Sequence, residues 1–592
     1  MRIFIILGIF IVNIHTLSAQ KLVPTDFSFR SMIVDSTDST YNNMRSNVIT
    51  EIILPEDSVV WLGTGLGVSV IRIRPDTITV ETLPDTTGLE NSPENSQGTP
   101  TNRLPQNGIS AMAFRDQGRI MMLIAFAGSE NDIPVGKGIA YTTNATEKNI
   151  DWLYDNQPVD NESYVEYKFA FGKMAILPVT VPHANVTYDA AFSDKFVWIA
   201  SWAGGLRRLR LLGDDGLPNT NPLRNFFWDP VPLPMDDQFE LITCDEFDSN
   251  GDSTYVFEKN EFHENRVLYL RDYELNPRDP IDGGNHNHKT FSVLVYGDTI
   301  WVGTANGINR GIIDPSEYYC IDWEHYSYPT QGLSGNFVVG LALQMYKGKR
   351  VIWAATVNAD DPTEQRGVSY TTNDGLSWNT ALLGERVYNI TAHDSLVFAA
   401  TAKGLWKTED GINWARYKPA RQAIPVPNTA IHSTDEVLAN EVYSVAFDSR
   451  PYYGDNSIWI GTGDGAAHSY DLDGLNWKIF RAEYDQDEDY AYPNPFSPYT
   501  HNVIGGDGYV RFHTNEWSGT FVIDLDVYNF AMEKVFAGSF DRRDASSGAL
   551  KWNGRDTQGR LVNNGVYFVK LKYPENQTSK PSAHWVKLIV VK

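Results

Sequence analysis

Val59-Val60-Trp61-Leu62-Gly63-Thr64-Gly65-Leu66-Gly67 is the stretch on which the fold of this chain turns. It is an apolar strand that ends in a small residue and a threonine, followed by a turn and a glycine that opens the next strand. It recurs as Thr299-Ile300-Trp301-Val302-Gly303-Thr304-Ala305-Asn306-Gly307 and as Ser457-Ile458-Trp459-Ile460-Gly461-Thr462-Gly463-Asp464-Gly465. Weaker copies are Val197-Trp198-Ile199-Ala200-Ser201, Ile352-Trp353-Ala354-Ala355-Thr356 and Val397-Phe398-Ala399-Ala400-Thr401. A degenerate copy at Met122-Leu123-Ile124-Ala125-Phe126 brings the count to seven.

Two further elements travel with the motif. Asn47-Val48-Ile49-Thr50, Asn107-Gly108-Ile109-Ser110-Ala111-Met112-Ala113, Asn336-Phe337-Val338-Val339-Gly340-Leu341-Ala342 and Asn440-Glu441-Val442-Tyr443-Ser444-Val445-Ala446 precede it and alternate like half-buried strands. Hairpins that close on tryptophan follow it: Asn373-Asp374-Gly375-Leu376-Ser377-Trp378, Asp410-Gly411-Ile412-Asn413-Trp414 and Asp473-Gly474-Leu475-Asn476-Trp477. Asp-Gly supplies the positive φ that a tight turn needs. Each unit thus reads as four short antiparallel strands. Such a sheet cannot bury both faces alone, and radial packing of repeated sheets solves that, which predicts a β-propeller.

The repeated bulky positions 61, 123, 198, 301, 353, 398 and 459 are unevenly spaced. The closest pair fits a bare blade. The widest gap holds an insertion of about 230–288. Seven blades over 47–483 are expected, with six or eight left open by the poor second copy. Residues 20–46 form an N-terminal extension expected to close the ring. The small residue after the tryptophan strand suits the crowded innermost region.

Composition agrees with an all-β chain. Trp 16, Tyr 30 and Phe 28 stand beside Gly 46 and Pro 30 in 592 residues. The net charge of −25 argues against a nucleic-acid partner. The charge is uneven, with +3 on residues 490–592 and −28 on the rest. The acidic part reads as a solvated surface or, more sharply, as calcium dependence or affinity for cationic ligands.

The start of the chain reads as an export signal. Met1-Arg2, the apolar run Ile3 to Val12 and the small-residue site Leu17-Ser18-Ala19 make residues 1–19 a secretory signal peptide. No later run is long enough to cross a bilayer as a helix, so no transmembrane segment is expected. Cys244 and Cys320 admit one disulfide in an oxidising compartment.

The Trp-x-Gly-Thr-x-x-Gly strands resemble the propellers of two-component-regulator sensors. The Asp-Gly-x-x-Trp hairpins, best at Thr371-Thr372-Asn373-Asp374-Gly375-Leu376-Ser377-Trp378, resemble the Asp-boxes of sialidase-like propellers. Those boxes imply fold and not chemistry.

After the acidic linker 484–491 a separate module of short strands fills 492–592, as a small β-sandwich would. Its opening Pro493-Asn494-Pro495-Phe496, the turn Trp552-Asn553-Gly554-Arg555-Asp556-Thr557-Gln558-Gly559, the strand Gly565-Val566-Tyr567 and the closing Lys587-Leu588-Ile589-Val590-Val591-Lys592 carry a second resemblance. It is to the immunoglobulin-like C-terminal domain of flagellar hook-capping proteins and of type IX secretion cargo. That resemblance implies a sorting domain, the type IX machinery as partner, and an outer-surface or secreted location reached through the periplasm.

Chemistry is harder to read. No Gly-x-Ser-x-Gly, His-Glu-x-x-His or P-loop occurs. Asn102-Arg103-Leu104-Pro105 imitates the first Arg-x-Pro element of sialidases, but without assignable partner arginines. Asp245-Glu246-Phe247-Asp248-Ser249-Asn250-Gly251-Asp252 alternates oxygen ligands around a glycine, which makes Asp248, Asn250 and Asp252 calcium candidates. The closing glutamate is out of register, with Phe257 in its place, so an ordinary acidic loop is the competing reading. His286 and His288 alone are too few for a metal and fit a polar loop. No catalytic residue and no cofactor other than calcium is expected. The function expected is non-catalytic binding or scaffolding of a surface ligand, a glycan or a protein. A secreted glycan-active hydrolase is the alternative.

Overall fold

The computed structural model describes residues 44, 46–56, 58–73, 78–83, 102–116, 120–131, 133–143, 145, 150–160, 173–212, 228–243, 273–315, 320–359, 361–417, 441–450, 456–463, 465–469, 472, 489–492, 494–499, 509–513, 522–541, 550–573 and 583–592. It also gives the backbone of short strands at 164–166, 246–247, 253–259, 265–269, 424–425, 432–433 and 477–480. The described chain is almost all β, in many small and mostly antiparallel sheets.

Each of the seven motif copies is the second strand of its own sheet, not the first. The first strands are Ile49–Glu56, Gly108–Asp116, Thr187–Phe192, Thr290–Tyr296, Phe337–Tyr346, Val387–His393 and Val442–Asp448. The motif strands are Val59–Thr64, Ile120–Glu130, Phe196–Ser201, Thr299–Thr304, Lys349–Val357, Leu396–Thr401 and Ser457–Thr462. A third and a fourth strand complete each sheet in meander order. The fourth sheet alone gains a fifth strand: Glu240–Ile242, from the insertion, pairs with the outer strand Ile321–Tyr326. Cys320, which precedes that outer strand, is disulfide-bonded, and Cys244 is the only other cysteine of the chain.

The motif's residues each have a mechanical task. Thr64 Oγ1 donates to the Gly67 carbonyl at 2.8 Å and accepts the Leu66 amide at 3.1 Å, which fastens the turn. Thr304, Thr401 and Thr462 repeat the bond to Gly307, Gly404 and Gly465. Gly67 takes φ 108°, open to glycine at no steric cost. The small residue before the threonine answers to packing. A Cβ on Gly303 would stand 2.6 Å from the Val338 carbonyl oxygen, and one on Gly461 would stand 2.6 Å from that of Ile49. In both cases the obstacle is the first strand of the next sheet, so the crowding is between sheets.

The motif strands are buried on both faces, which is why they read as unbroken apolar runs. Alternate residues face opposite neighbours. Trp61 packs with Ile109 and Ile124 of the second sheet, while Val60 and Leu62 pack with Trp459 and Phe480 of the seventh. The series continues without a gap. Leu123 meets Val197, Trp198 meets Val293, Trp301 meets Val338, Trp353 meets Val387, and Phe398 meets Val445. The seventh sheet then returns to the first. Buried Met44 joins that contact, and the Gly465 amide donates to the Asn47 carbonyl at 2.6 Å.

Tryptophans from the closing hairpins reinforce the contacts. Trp378 of the fifth sheet stands edge-on to Trp301 of the fourth at 6.1 Å, and Trp414 of the sixth to Trp353 of the fifth at 6.0 Å. In the first hairpin Asn373 Oδ1 accepts the Ser377 amide at 3.0 Å; in the second, Asp410 Oδ1 accepts the Asn413 amide at 2.7 Å. The bonds from Asn413 and Ile412 hold Asp410 at about 2, below the usual carboxylate range.

The last hundred residues have their own core. A three-stranded sheet (Tyr490–Tyr492, Val510–His513, Lys551–Trp552) and a four-stranded sheet (Lys534–Asp541, Val522–Tyr528, Gly565–Lys572, Ala583–Val590) share it. Phe512 and Trp552 from one pack with Leu525, Val569 and Leu588 from the other. Asn494 clamps the module's opening to its final strand: Nδ2 donates to the Lys587 carbonyl and Oδ1 accepts the Ile589 amide, both at 2.9 Å.

Candidate functional site

All seven first strands share one irregularity. The pairing register slips by a residue near each N-terminus, as at Ile49/Glu51, Thr187/Asp189 and Val442/Ser444. A β-bulge of this kind leaves one residue unpaired and re-aims its neighbours. The unpaired residues are Thr50, Ser110, Tyr188, Phe291, Val339, Tyr388 and Tyr443. All seven border a single cavity of about 140 Å³, together with Glu51, Asp189, Gly340 and Asn389 from the positions that follow four of the bulges.

Polar atoms at these bulges tie consecutive first strands together. Thr50 Oγ1 donates to the Ile109 carbonyl at 2.8 Å, and Ser292 Oγ to that of Val338 at 3.1 Å. Asp189 does the same with charge. Its Oδ2 accepts the Val293 amide of the fourth sheet and its Oδ1 the Ala190 amide, both at 2.8 Å. Desolvation outweighs these two bonds and raises the Asp189 carboxyl to about 7.

Glu51 is different. It has no hydrogen bond or ion pair among the described residues. Desolvation, and then the neighbouring Asp189 charge, push its carboxyl up to about 8. Among the described residues the hydroxyls of Ser110 and Tyr188 also lack a partner, and both are shut off from water. Tyr388 and Tyr443 meet edge to face at 5.5 Å and give their hydroxyls to Glu441 at 2.9 and 3.0 Å. Among the described residues no arginine, lysine or histidine lines the cavity.

The sequence-expected residues lie elsewhere. Asp248, Asn250 and Asp252 are outside the described residues. His286 and His288 form a short 3-10 turn with Asn287. His288 Nδ1 accepts the Asn276 amide at 2.9 Å, which leaves Nε2 to donate toward the Leu233 carbonyl at 3.1 Å. Burial lowers this imidazole to about 4, and its ring nitrogens are taken by the fold. The turn is pinned by the Asp236 carboxylate, which accepts the His286 and Asn287 amides at 2.9 and 2.7 Å. Arg103 precedes the second sheet and is not among the residues of the cavity wall. Among the described residues no three His, Cys, Asp or Glu side chains gather as a metal site would require.

Among 74 acidic residues, Glu51 and Asp189 carry no contrast in the sequence. A signal did exist in register. Glu51, Asp189, Ser292, Asn389 and Ser444 each pair with the small residue of the motif strand, namely Gly63, Ala200, Gly303, Ala400 and Gly461. Aligning the repeats one strand upstream of the motif would have brought these polar positions into one column.

No family model matches the chain, and no curated protein does. Among solved structures it is similar to PorZ, an essential surface component of the type-IX secretion system of Porphyromonas gingivalis. That match has 14% identity and a TM-score of 0.28, covering 91% of this chain and 65% of that protein. This chain therefore spans just under two thirds of PorZ. It is also similar to the extracellular domain of a hybrid two-component system from B. thetaiotaomicron, at 11% identity and TM-score 0.23 over 94% of this chain and 80% of that one. An ancestral GH74 enzyme matches at 12% identity and TM-score 0.39 over 92% and 63%. At these TM-scores the likenesses decide nothing about function. No helix among the described residues is long and apolar enough to cross a membrane.

Proposed function

We infer that this chain is an exported seven-bladed β-propeller with a C-terminal immunoglobulin-like module that sends it through the type IX secretion system. Outside the cell it acts as a non-catalytic binding or scaffold protein. The observation that carries this reading is the cavity bordered by all seven first strands, which a closed ring of blades places on its axis. The return of the seventh sheet onto the first supports the same ring. Residues 1–19 are the export signal and 20–46 lead into the ring closure. Residues 47–483 are the propeller, 484–491 its acidic linker and 492–592 the sorting domain.

Two observations favour binding over glycan hydrolysis. A glycosidase needs a free carboxylate pair and room for the sugars on both sides of the bond. The cavity's 140 Å³ is below the roughly 300–1,000 Å³ of ordinary ligand sites, and both Asp189 oxygens already hold backbone amides. Export is tested by deleting residues 490–592 and following the protein to the cell exterior. The truncated chain is expected to stay in the periplasm with its own unfolding transition unchanged. Arrival outside in normal amounts would remove the sorting role. Release of reducing sugar from a glycan panel would overturn the non-catalytic reading.

A further inference from the structure

The geometry points to the cavity as a site for a small organic cation, the primary ammonium of an aliphatic amine, with Glu51 as its counter-ion. This rests on the binding-protein reading and names the ligand class of that site. Among the described residues, three polar groups on the wall have no partner: the Glu51 carboxyl and the Ser110 and Tyr188 hydroxyls. Buried polar groups without partners are uncommon and each calls for an explanation. Here the Ser110 and Tyr188 hydroxyls occupy the bulge of their sheets, Glu51 directly follows the bulge of its own, and all three border one space.

The chemistry of the wall selects the ligand. Glu51 and Asp189 bring two carboxyls, and among the described residues of the wall no basic side chain opposes them. Tyr388 and Tyr443 have committed their hydroxyls to Glu441, so their rings are what they offer. A carboxylate beside aromatic rings is the arrangement that holds an ammonium, by ion pairing and by cation–π attraction. The unpartnered hydroxyls accept its N–H groups, which a quaternary ammonium lacks. Calcium fits less well, because it asks for six to eight oxygens and Asp189 has already given both of its own to amides. A cavity of 140 Å³ admits a short alkyl chain and excludes an oligosaccharide.

Binding and protonation are linked. The groups around Glu51 are Asp189, which raises it further, and Tyr188, Tyr388 and Tyr443, with Glu441 behind the last two. The empty site keeps Glu51 protonated at neutral pH. An arriving ammonium restores the carboxylate, and the proton leaves to solvent, one for each amine bound.

The test is calorimetric titration of the purified full-length exported protein with n-butylammonium chloride between pH 6.5 and 9, below the pH at which the amine loses its own proton. Affinity is expected to rise by about tenfold per pH unit up to about pH 8 and then level off, with release of one proton below it. Glu51→Gln is expected to weaken binding by at least about tenfold and to abolish the pH dependence. Heat equal to that of sodium chloride, affinity independent of pH, or tighter binding of tetramethylammonium would each overturn the proposal. Should Glu51→Gln fail to fold, the wild-type pH series decides by itself. The titration needs neither export nor the sorting module, so its failure leaves those untouched, and sugar release would sink the binder reading without altering it.

Discussion

Gly461→Ala tests the closure of the ring at its seam. The new Cβ would stand 2.3 Å from Ser444 Oγ, 2.6 Å from the Ile49 carbonyl oxygen and 2.8 Å from Ile49 Cγ2. The serine can rotate, but the carbonyl belongs to the first strand of the first sheet and moves only with its backbone. Forcing one methyl into a packed contact costs about 1–3 kcal/mol. The seam must therefore part by several tenths of an ångström or the strand must bend. Gly463→Ala, two residues on, is the control. Its nearest neighbour would be the Tyr443 hydroxyl at 3.5 Å, an ordinary contact. There the substitution is expected to be neutral, or stabilising by up to about 1 kcal/mol through the unfolded chain. Urea unfolding followed by tryptophan fluorescence reports on the seam directly, because Trp459 stacks on His468 at 4.1 Å within it. The midpoint should fall for Gly461→Ala and hold for Gly463→Ala. Equal midpoints would mean that the seventh and first sheets do not press together in solution, and the cyclic reading would go with them.

The closing hairpins and the buried acid give two more tests. Trp378→Ala should cost about 3–5 kcal/mol, since Trp378 is 7% exposed against Trp301, whereas Leu376→Ala in the same hairpin, 80% exposed, should leave the thermal melt unchanged. Glu51, raised from 4.5 to about 8, keeps a proton in the folded state that the unfolded chain has lost. Its contribution is intact below about pH 4.5 and is lost as pH rises to about 8, at about 1.4 kcal/mol per pH unit, with Asp189 acting in the same sense up to about 7. Buried His288 and His325, lowered to about 4, act on the acid side: their stability is present above about 6.5 and is lost as pH falls to about 4. Glu51→Gln should therefore flatten urea midpoints between pH 6.5 and 8, and curves that stay parallel to the wild type would refute the raised carboxyl.

The repeat is legible because its strongest copies are written in residues that each have a mechanical task. Gly303 and Gly461 must lack a side chain where the next sheet passes, Thr64 and Thr462 must have a hydroxyl to fasten the turn, and Trp301 fills the space between sheets. The first strands were partly hidden. Those beginning near Asn47, Asn107, Asn336 and Asn440 stand out, while Thr187–Phe192, Thr290–Tyr296 and Val387–His393 do not; in all seven a bulge breaks the two-residue alternation by which a strand is recognised. The same bulge is what faces residues toward the cavity, so the feature that blurs the strand pattern is the one that builds the site. The sheet that carries each column member then decides its chemistry. At Ser292 and Ser444 the polar atom reaches the next strand's carbonyl, and at Asp189 it reaches that strand's amide. Glu51 stands in the same column, but its sheet is already tied to the second by Thr50, one residue earlier. Relieved of the strut's task, Glu51 is the member of the column whose charge is left for a ligand.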